Sequence, residues 1–501
     1  MPSRPIRFPW RASLLATAAL GALGAGASAG DLPATPEGAQ KLAAFLATYA
    51  GKPAAGARSP IAVTRESADY LVAVDVGALA APLKAAGVSY DAAVMKFKVV
   101  QLDDGAWRVE QNDFPTVVAH SNRGGLAFDT TVVASGVNVV MTIDPAISWF
   151  RNSQTRADKL TLRAHGPGVD ETVEAGALQA TLTTKASADG ALSTGVKETA
   201  GAMSMTLAVD PKAADPNAGA DAKPVAIAAQ AEGAAVDIAL DGLKPRPLLD
   251  LWAFLVAHPT RPELAANEAP LKTLLTAALA TPLSLDENVA VQKLTVQTPQ
   301  GPVAFDGAKV GVGGANAGSA SRFEERFSAS GLTLPPSLVP AAYHDLVPTS
   351  FDFGFKVSGF DLAAAGAEAI ADMHLAGDAP PISEEDNAKV WAKLVGAGPA
   401  LIDIAPSHVV APQLDLAFQG QVRYQRGKPS GTFTVHMRNF EKTQAALKGL
   451  GPEAEKKIVP VLAMAKGLAK TDGDGALTWV GELGPDGMMK VNGLPLGKAP
   501  F

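Results

Sequence analysis

The stretch from Gln413 to Gln425 constrains this chain more than any other. Leu414, Leu416, Phe418, Gly420, Val422 and Tyr424 occupy every second position. Gln413, Asp415, Gln419, Gln421, Arg423 and Gln425 take the alternate ones, with only Ala417 neutral. Successive side chains of a strand point to opposite faces, so this segment has one apolar and one wet face. That is the antiparallel pattern; parallel strands buried on both faces read as continuous Val/Ile runs instead. Thirteen residues reach about 40 Å at ~3.3 Å each, whereas ordinary strands have about 5–6 residues. The expectation is a long, curved antiparallel sheet with an apolar concave face.

The same alternation recurs. Met95, Phe97 and Val99 alternate with Lys96 and Lys98, and Asp103-Asp104-Gly105 turns the chain back into Trp107 and Val109. Met203 to Val209, Phe351 to Val357 and Phe433 to Met437 follow the rule, the last pairing back on the 413–425 strand. Helical signals are fewer. Thr35 caps and Pro36 opens a helix carrying Leu42, Phe45, Leu46 and Tyr49, stopped by Gly51 and Pro53. Ser383 caps a second, Glu384–Val395, with Glu384, Glu385 and Asp386 in its first turn and Val390, Trp391 and Leu394 on one face. The fold class is therefore α+β and β-rich: long antiparallel curved sheets in a meander, with flanking helices.

The N-terminus sets the compartment. Arg4, Arg7 and Arg11 precede an Ala/Leu-rich run, Leu14 to Leu23, and then Ala27-Ser28-Ala29. That order is a secretory signal peptide over residues 1–29, which puts the mature protein in the periplasm. An uncleaved N-terminus anchoring the chain in the inner membrane is the alternative, but a run this short, with Gly21, Gly24 and Gly26 in and after it, suits a span poorly. The chain has no cysteine, which excludes disulfides, thiolate metal sites and cysteine nucleophiles. Removing the signal takes the net charge from −7 to −10, and no basic run exists. Nucleic acid and anionic headgroups are therefore poor partners on charge alone, so no nucleic-acid partner is expected, while peripheral contact with a membrane stays compatible. Residues 210–224, rich in Ala, Asp, Pro and Gly, read as a flexible linker. It separates a β-rich N-terminal portion, 31–209, from an α+β C-terminal portion, 225–501, that holds the longest strands. Val310–Ser321 reads as a second Gly/Ala/Ser loop. Strand ends at Gly77, Gly242, Gly331, Gly359 and Asn439 each lead into a helix-like stretch.

No stretch carries a catalytic signature. His120, His165, His258, His344, His374, His408 and His436 are dispersed without metal-ligand spacing, and GxSxG is absent. Gly311, Gly313, Gly314 and Gly318 lack the third glycine and the lysine of a phosphate loop. Asp472-Gly473-Asp474-Gly475 lacks the glutamate of a calcium loop and reads as a hairpin turn. Neither a cofactor nor a metal is implied.

The C-terminus carries a resemblance. Leu477-Thr478-Trp479, Gly484-Pro485-Asp486-Gly487 and Lys490-Val491-Asn492-Gly493-Leu494-Pro495 run strand, turn, strand. With the export signal, Leu338-Val339-Pro340 and Leu346-Val347-Pro348, this resembles bacterial envelope proteins of the YdgA-like type and their alphaproteobacterial relatives of unknown function. Those look distantly like AsmA-type proteins. The resemblance implies a β-rich periplasmic protein with no assigned enzyme activity, and AsmA-like kinship implies a lipid-facing groove. The short N-terminal run departs from the YdgA-like anchor.

Together these readings predict a non-enzymatic envelope protein that binds an apolar component, such as lipid, in a sheet-lined groove. The groove residues are Leu414, Leu416, Phe418, Val422, Tyr424, Phe351, Phe353 and Phe355. The alternatives are a periplasmic scaffold that binds other envelope proteins through sheet edges, and a hydrolase whose site is assembled from dispersed residues.

Overall fold

The computed structural model describes residues 30–50, 59–123, 126–210, 225–377, 379–396, 398–425, 428–448 and 452–498. The expected signal peptide and nearly all of the expected linker lie outside them. Strands take 54% of the described residues and helices 25%, in a long antiparallel meander, so the fold is β-rich α+β. Every pairing between named strands among the described residues runs antiparallel. None of the described helices is long and apolar enough to cross a membrane. The chain forms two compact units. The first comprises residues up to 226, 233–281 and 374–380; the second comprises 227–232, 282–373 and 381–501. The segment 233–281, C-terminal to the expected linker, thus packs with the N-terminal portion.

The first unit holds β1 (Asp31–Leu32), α1 (Pro36–Ala50), β2 (Ile61–Glu66), β3 (Asp69–Asp75), β4 (Val88–Tyr90), β5 (Val94–Leu102), β6 (Trp107–Gln111), β7 (Val117–Arg123), β8 (Leu126–Ser135), β9 (Asn138–Asp144), β10 (Trp149–Gly166), β11 (Val169–Ala186), β12 (Leu192–Ala200) and β13 (Met203–Val209). Two long strands organise it. β10 pairs with β9 through Trp149–Arg156 and with β8 through Lys159–His165. β11 pairs with β12 through Gln179–Ala186 and with β13 through Val169–Ala175. The sheet therefore forks midway along β10 and β11, where Ala177 adopts a φ of 48°. One branch continues β9–β6–β5–β3–β2.

Helix α1 starts as its sequence predicts: Thr35 Oγ1 accepts from the Gly38 amide at 3.0 Å. The Tyr70 hydroxyl accepts from the Thr35 amide at 2.9 Å, and its ring packs edge-on against Trp107. A Cβ on Gly38 would lie 2.0 Å from that hydroxyl, so only glycine admits this contact. The core beneath α1 is Leu42, Tyr70, Val72, Val99, Trp107 and Val109. After β14 (Val225–Ala231), β15 (Gly233–Leu243) adds to β12, and three helices follow: α2 (Pro245–Ala257), α3 (Arg261–Ala266) and α4 (Glu268–Leu279). Residues 374–380 join this unit because Glu268 accepts the Leu375 amide and Arg261 donates to the Leu375 carbonyl.

The second unit is a meander. β16 (Leu283–Thr298), β17 (Gly301–Asn316), β18 (Ser321–Ser330), β19 (Ser350–Phe360), β20 (Ala400–Ala411), β21 (Leu414–Gln425), β22 (Lys428–Arg438) and β24 (Leu477–Leu483) lie side by side, with β23 (Lys470–Thr471) on β24. Helices α5 (Leu362–Ala371) and α6 (Glu384–Val395) interrupt it after β19, and α7 (Phe440–Lys448) and α8 (Pro452–Leu468) after β22. The expected Val310–Ser321 loop is a correction. Residues up to Asn316 are strand, and Gly311, Gly313 and Gly314 sit in full register between β16 and β18. A Cβ on Gly313 would fall 2.7 Å from both Asp286 and Glu324, so glycine there makes room for acids on either side rather than a bend. Four of the five expected sheet-to-helix junctions share a conformation, Gly242, Gly331, Gly359 and Asn439 all having positive φ, whereas Gly77 lies within the short helix Val76–Leu79 and does not.

The Asp472–Gly475 segment is a hairpin turn. Asp474 accepts the Ala476 amide and pairs with Arg438, and Asp472 accepts from Thr478. The resemblance motif is structural too. β25 (Met488–Val491) and β26 (Leu494–Lys498) meet at a two-residue turn, Asn492-Gly493, with φ of 50° and 87°, as a type I′ hairpin requires.

Candidate functional site

The eight residues expected to line a groove all fall on one face of the second unit's sheet. Register places Phe351 opposite Ala329 and Val409, Phe353 opposite Phe327, and Phe355 opposite Glu325 and Ile404. Across β20, Leu416, Phe418, Val422 and Tyr424 follow on the same side. The rings touch: Phe353 lies 6.2 Å from Phe418, and Phe327 lies 5.2 Å from Phe351, centroid to centroid. The opposite face is polar, with Arg326 bonded to Asp352, Gln421 to Asp403 and His408 to Asp415.

Helices divide this apolar face. α7 and α8 cover one end, where Leu414 and Leu416 join Met437, Phe440, Leu462, Leu477 and Trp479 in a packed cluster. Those two residues are thus core rather than groove. α6 does not cover the rest: Trp391, expected on its packing face, is 59% exposed. Phe323, Phe327, Phe353, Ile402, Tyr424 and Phe433 are all exposed along the sheet. Contiguous exposed apolar surface of this kind marks interaction sites. Two substitutions separate the regions. Phe353→Asp, at an exposed site, is expected to cost under about 1 kcal/mol. Leu416→Asp places a charge under α7 and α8 and is expected to cost several kcal/mol. Urea midpoints of the two variants check this.

The first unit contains a feature that the sequence reading missed. A chamber of about 520 Å³ lies between α1 and the sheet. α1 contributes Leu42, Phe45 and Leu46; β5 contributes Met95, Phe97 and Val99; β8 and β10 contribute Val132, Leu160 and Leu162. Trp107, Met141, Ile143, Phe150 and Leu178 lie among its other walls. Only Gln111, Thr155 and Glu198 of its described lining residues are polar, and all three are buried. Its signal in the sequence was slight. Gln111 shares its parity with Trp107 and Val109, and Glu198 with Leu192 and Val196, so both are polar residues at apolar positions.

Glu171 and His120 stand out among the perturbed ionisable groups of the first unit. Glu171 is buried on the apolar side of β11, opposite Ala164 and Leu207, and burial pushes its carboxyl above the usual carboxylate range. A raised carboxyl pKa destabilises the fold once the group ionises. Glu171→Gln is therefore expected to stabilise the protein by about 1 kcal/mol at pH 7. The gain should fade below the ordinary carboxyl pKa of about 4, where both states are protonated. Denaturant melts at the two pH values check it. His120, at the surface, bonds Asp129 through Nδ1 at 2.7 Å and Asp91 through Nε2 at 2.9 Å. With both nitrogens facing carboxylates the ring favours its protonated form, and its pKa is raised first by Asp129, then by Asp91. His344 bonds the Val339 carbonyl through Nε2 at 2.8 Å.

No family model matches the chain, and no curated protein or solved structure is significantly similar to it.

Proposed function

We propose that this chain is an exported, non-enzymatic protein of the bacterial cell envelope, and that it holds an apolar envelope component, a lipid, against its sheets. The observation that carries this reading is the chamber of the first unit. Dry cavities lined by aliphatic and aromatic residues bind apolar guests even at about 150 Å³, and this partly open space, with the same kind of lining, is about 520 Å³. Pockets of about 300–1,000 Å³ with few polar groups are the usual form of a small-molecule site. Water is a poor occupant, because each buried water needs about two to four polar partners and three polar residues line the walls.

The open aromatic face of the second unit supports the same reading independently. Phe327 on β18, Phe353 on β19 and Phe433 on β22 present rings to solvent, a surface suited to acyl chains. The export signal and the YdgA-like and AsmA-like resemblance agree with a ligand drawn from the envelope.

The test is mass spectrometry of lipid extracted from the mature protein, purified from periplasm without detergent. Stoichiometric apolar ligand is the expected result. A clean protein would overturn the reading and favour a scaffold that binds envelope proteins, to be sought by crosslinking.

A further inference from the structure

The polar face of the second unit's sheet carries a depression of about 300 Å³. Register sets its floor in two transverse rows across β17, β18 and β19. In one, Gly307 opposes Ser330 and Ser330 opposes Ser350. In the other, Lys309 opposes Ser328 and Ser328 opposes Asp352, with His408 of β20 next in line. All seven line the depression. Side-chain size explains it: three serines and a glycine stand together, ringed by the longer Lys309, Asp352 and His408.

The charges around the depression are matched, with one exception. Arg326 holds Asp352 by two bonds, Nε to Oδ1 at 2.9 Å and Nη2 to Oδ2 at 2.6 Å. His408 bonds Asp415 through Nε2 at 2.7 Å, and Arg438 lies 3.9 Å from the same carboxylate. Lys309 pairs with no carboxylate among the described residues. Its cross-strand neighbours are Ala290 and Ser328, and Gly307 and Gly311 flank it on its own strand, so no acid is placed to reach it. The hydroxyls of Ser328, Ser330 and Ser350 likewise bond no described residue. Four donors therefore surround one opening. Cross-strand neighbours stand about 5 Å apart, and the two rows about 7 Å apart along the strands.

From this frame we propose that the depression binds the phosphate group of a small, water-soluble phosphate monoester, with Lys309 as its charge partner and Ser328, Ser330 and Ser350 as hydroxyl donors. A phosphate monoester presents three strong acceptor oxygens and about −1.5 to −2 charge at pH 7. Three hydroxyls and an ammonium supply the complementary donors, and hydrogen bonds to ionised groups are roughly twice as strong as neutral ones. A neutral polyol would use the hydroxyls and leave Lys309 unmatched. A phosphorylated lipid headgroup shares this chemistry, but two observations favour the soluble source. The depression lies on the opposite face of the sheet from Phe351, Phe353 and Phe418, so a lipid whose acyl chain rests on those rings cannot place its headgroup here. The chain's net charge of −7 also opposes approach to an anionic membrane surface.

The experiment is isothermal titration calorimetry of the mature protein at low ionic strength with glycerol 3-phosphate and with glycerol, beside sedimentation with vesicles of phosphatidic acid or of phosphatidylcholine. Glycerol 3-phosphate is expected to bind at least about tenfold more tightly than glycerol, and Lys309→Gln to weaken it about tenfold. Gly307→Val fills the depression and is expected to abolish binding. A Cβ at Gly307 meets Ser330 Oγ at 3.6 Å and the Val291 carbonyl at 3.8 Å, both ordinary contacts, so the strand accommodates it. Urea midpoints of both variants should match the wild type. Glycerol that binds as tightly as its phosphate, or glycerol 3-phosphate that binds both variants like the wild type, would overturn the site. So would a protein that binds neither the soluble ester nor phosphatidic acid vesicles. Sedimentation with phosphatidic acid but not phosphatidylcholine vesicles, reversed by Lys309→Gln, would overturn the soluble source and reassign the phosphate to a lipid headgroup.

Discussion

Stripped of its apolar ligand, the protein is expected to lose several kcal/mol of stability, and to recover part of it when a side chain is built into the space. The reasoning starts from the cost of empty volume. Cavities left in protein cores cost about 24 cal/mol per Å³ beyond lost transfer energy. A space of about 520 Å³ that is partly open to solvent bears this cost only over its dry part, an expected loss of several kcal/mol against a typical net stability of about 5–15 kcal/mol. Partial collapse of α1 onto the sheet lowers the figure without removing it, because β-sheet walls paired on both sides cannot follow. Ala157 and Ala180 are among the smallest side chains that line the space, at 7% and 5% exposure. In a filled core, a phenylalanine at either position would overpack and cost about 1–3 kcal/mol. In a ligand chamber, Ala157→Phe or Ala180→Phe should raise the melting temperature of the delipidated protein while abolishing ligand retention. Calorimetry of delipidated and ligand-loaded protein, with the two variants beside them, decides the matter. A delipidated wild type as stable as the loaded one would mean the chamber closes by itself and is no reservoir.

The two candidate sites differ in how much of each the sequence disclosed, and strand periodicity explains the difference. Phe351 to Tyr424 lie on neighbouring strands that follow one another along the chain, so parity within each strand placed them on one face. What parity did not disclose was coverage. Leu414 and Phe418 alternate identically, yet α7 and α8 settle over the first and leave the second outside their cluster. The chamber draws on residues from Leu42 to Glu198, and its walls meet only because β10 and β11 each change partners midway. That fork depends on strand register, which no local pattern encodes. The change of parity between Ala157 and Leu160, both chamber-lining, also breaks the alternation that would have marked β10. Gly311 to Gly314 failed for the opposite reason. Without side chains they carry no alternation, so a central strand looked like a loop.

Asn492→Ala is expected to cost about 3–4 kcal/mol. The Asn492 side chain closes three bonds: Nδ2 donates to the Leu468 carbonyl at 2.7 Å and to the Thr478 carbonyl at 3.0 Å, and Oδ1 accepts the Val480 amide at 2.9 Å. It therefore ties the end of α8 to β24 from the turn between β25 and β26. Each bond contributes about 1 kcal/mol, and its loss leaves partly buried backbone groups unpaired. Asn492 also holds a φ of 50°, which asparagine tolerates and alanine resists by about 1 kcal/mol. Two further variants separate these contributions. Asn492→Gly removes the bonds but accepts the backbone, so it should be about 1 kcal/mol more stable than Asn492→Ala. Asn492→Asp keeps the acceptor for Val480 but turns a carboxylate toward two carbonyl oxygens, and should be as damaging as alanine. Urea denaturation of the series measures the order. Alanine and glycine variants of equal stability would show that the turn's backbone carries no strain. A wild-type-like aspartate variant would show that the bonds to Leu468 and Thr478 do not hold α8. Because α8 also receives the Trp479 indole, whose Nε1 donates to the Ala465 carbonyl at 2.7 Å, release of Asn492 should expose that ring. Tryptophan fluorescence should then shift red in Asn492→Ala before global unfolding begins.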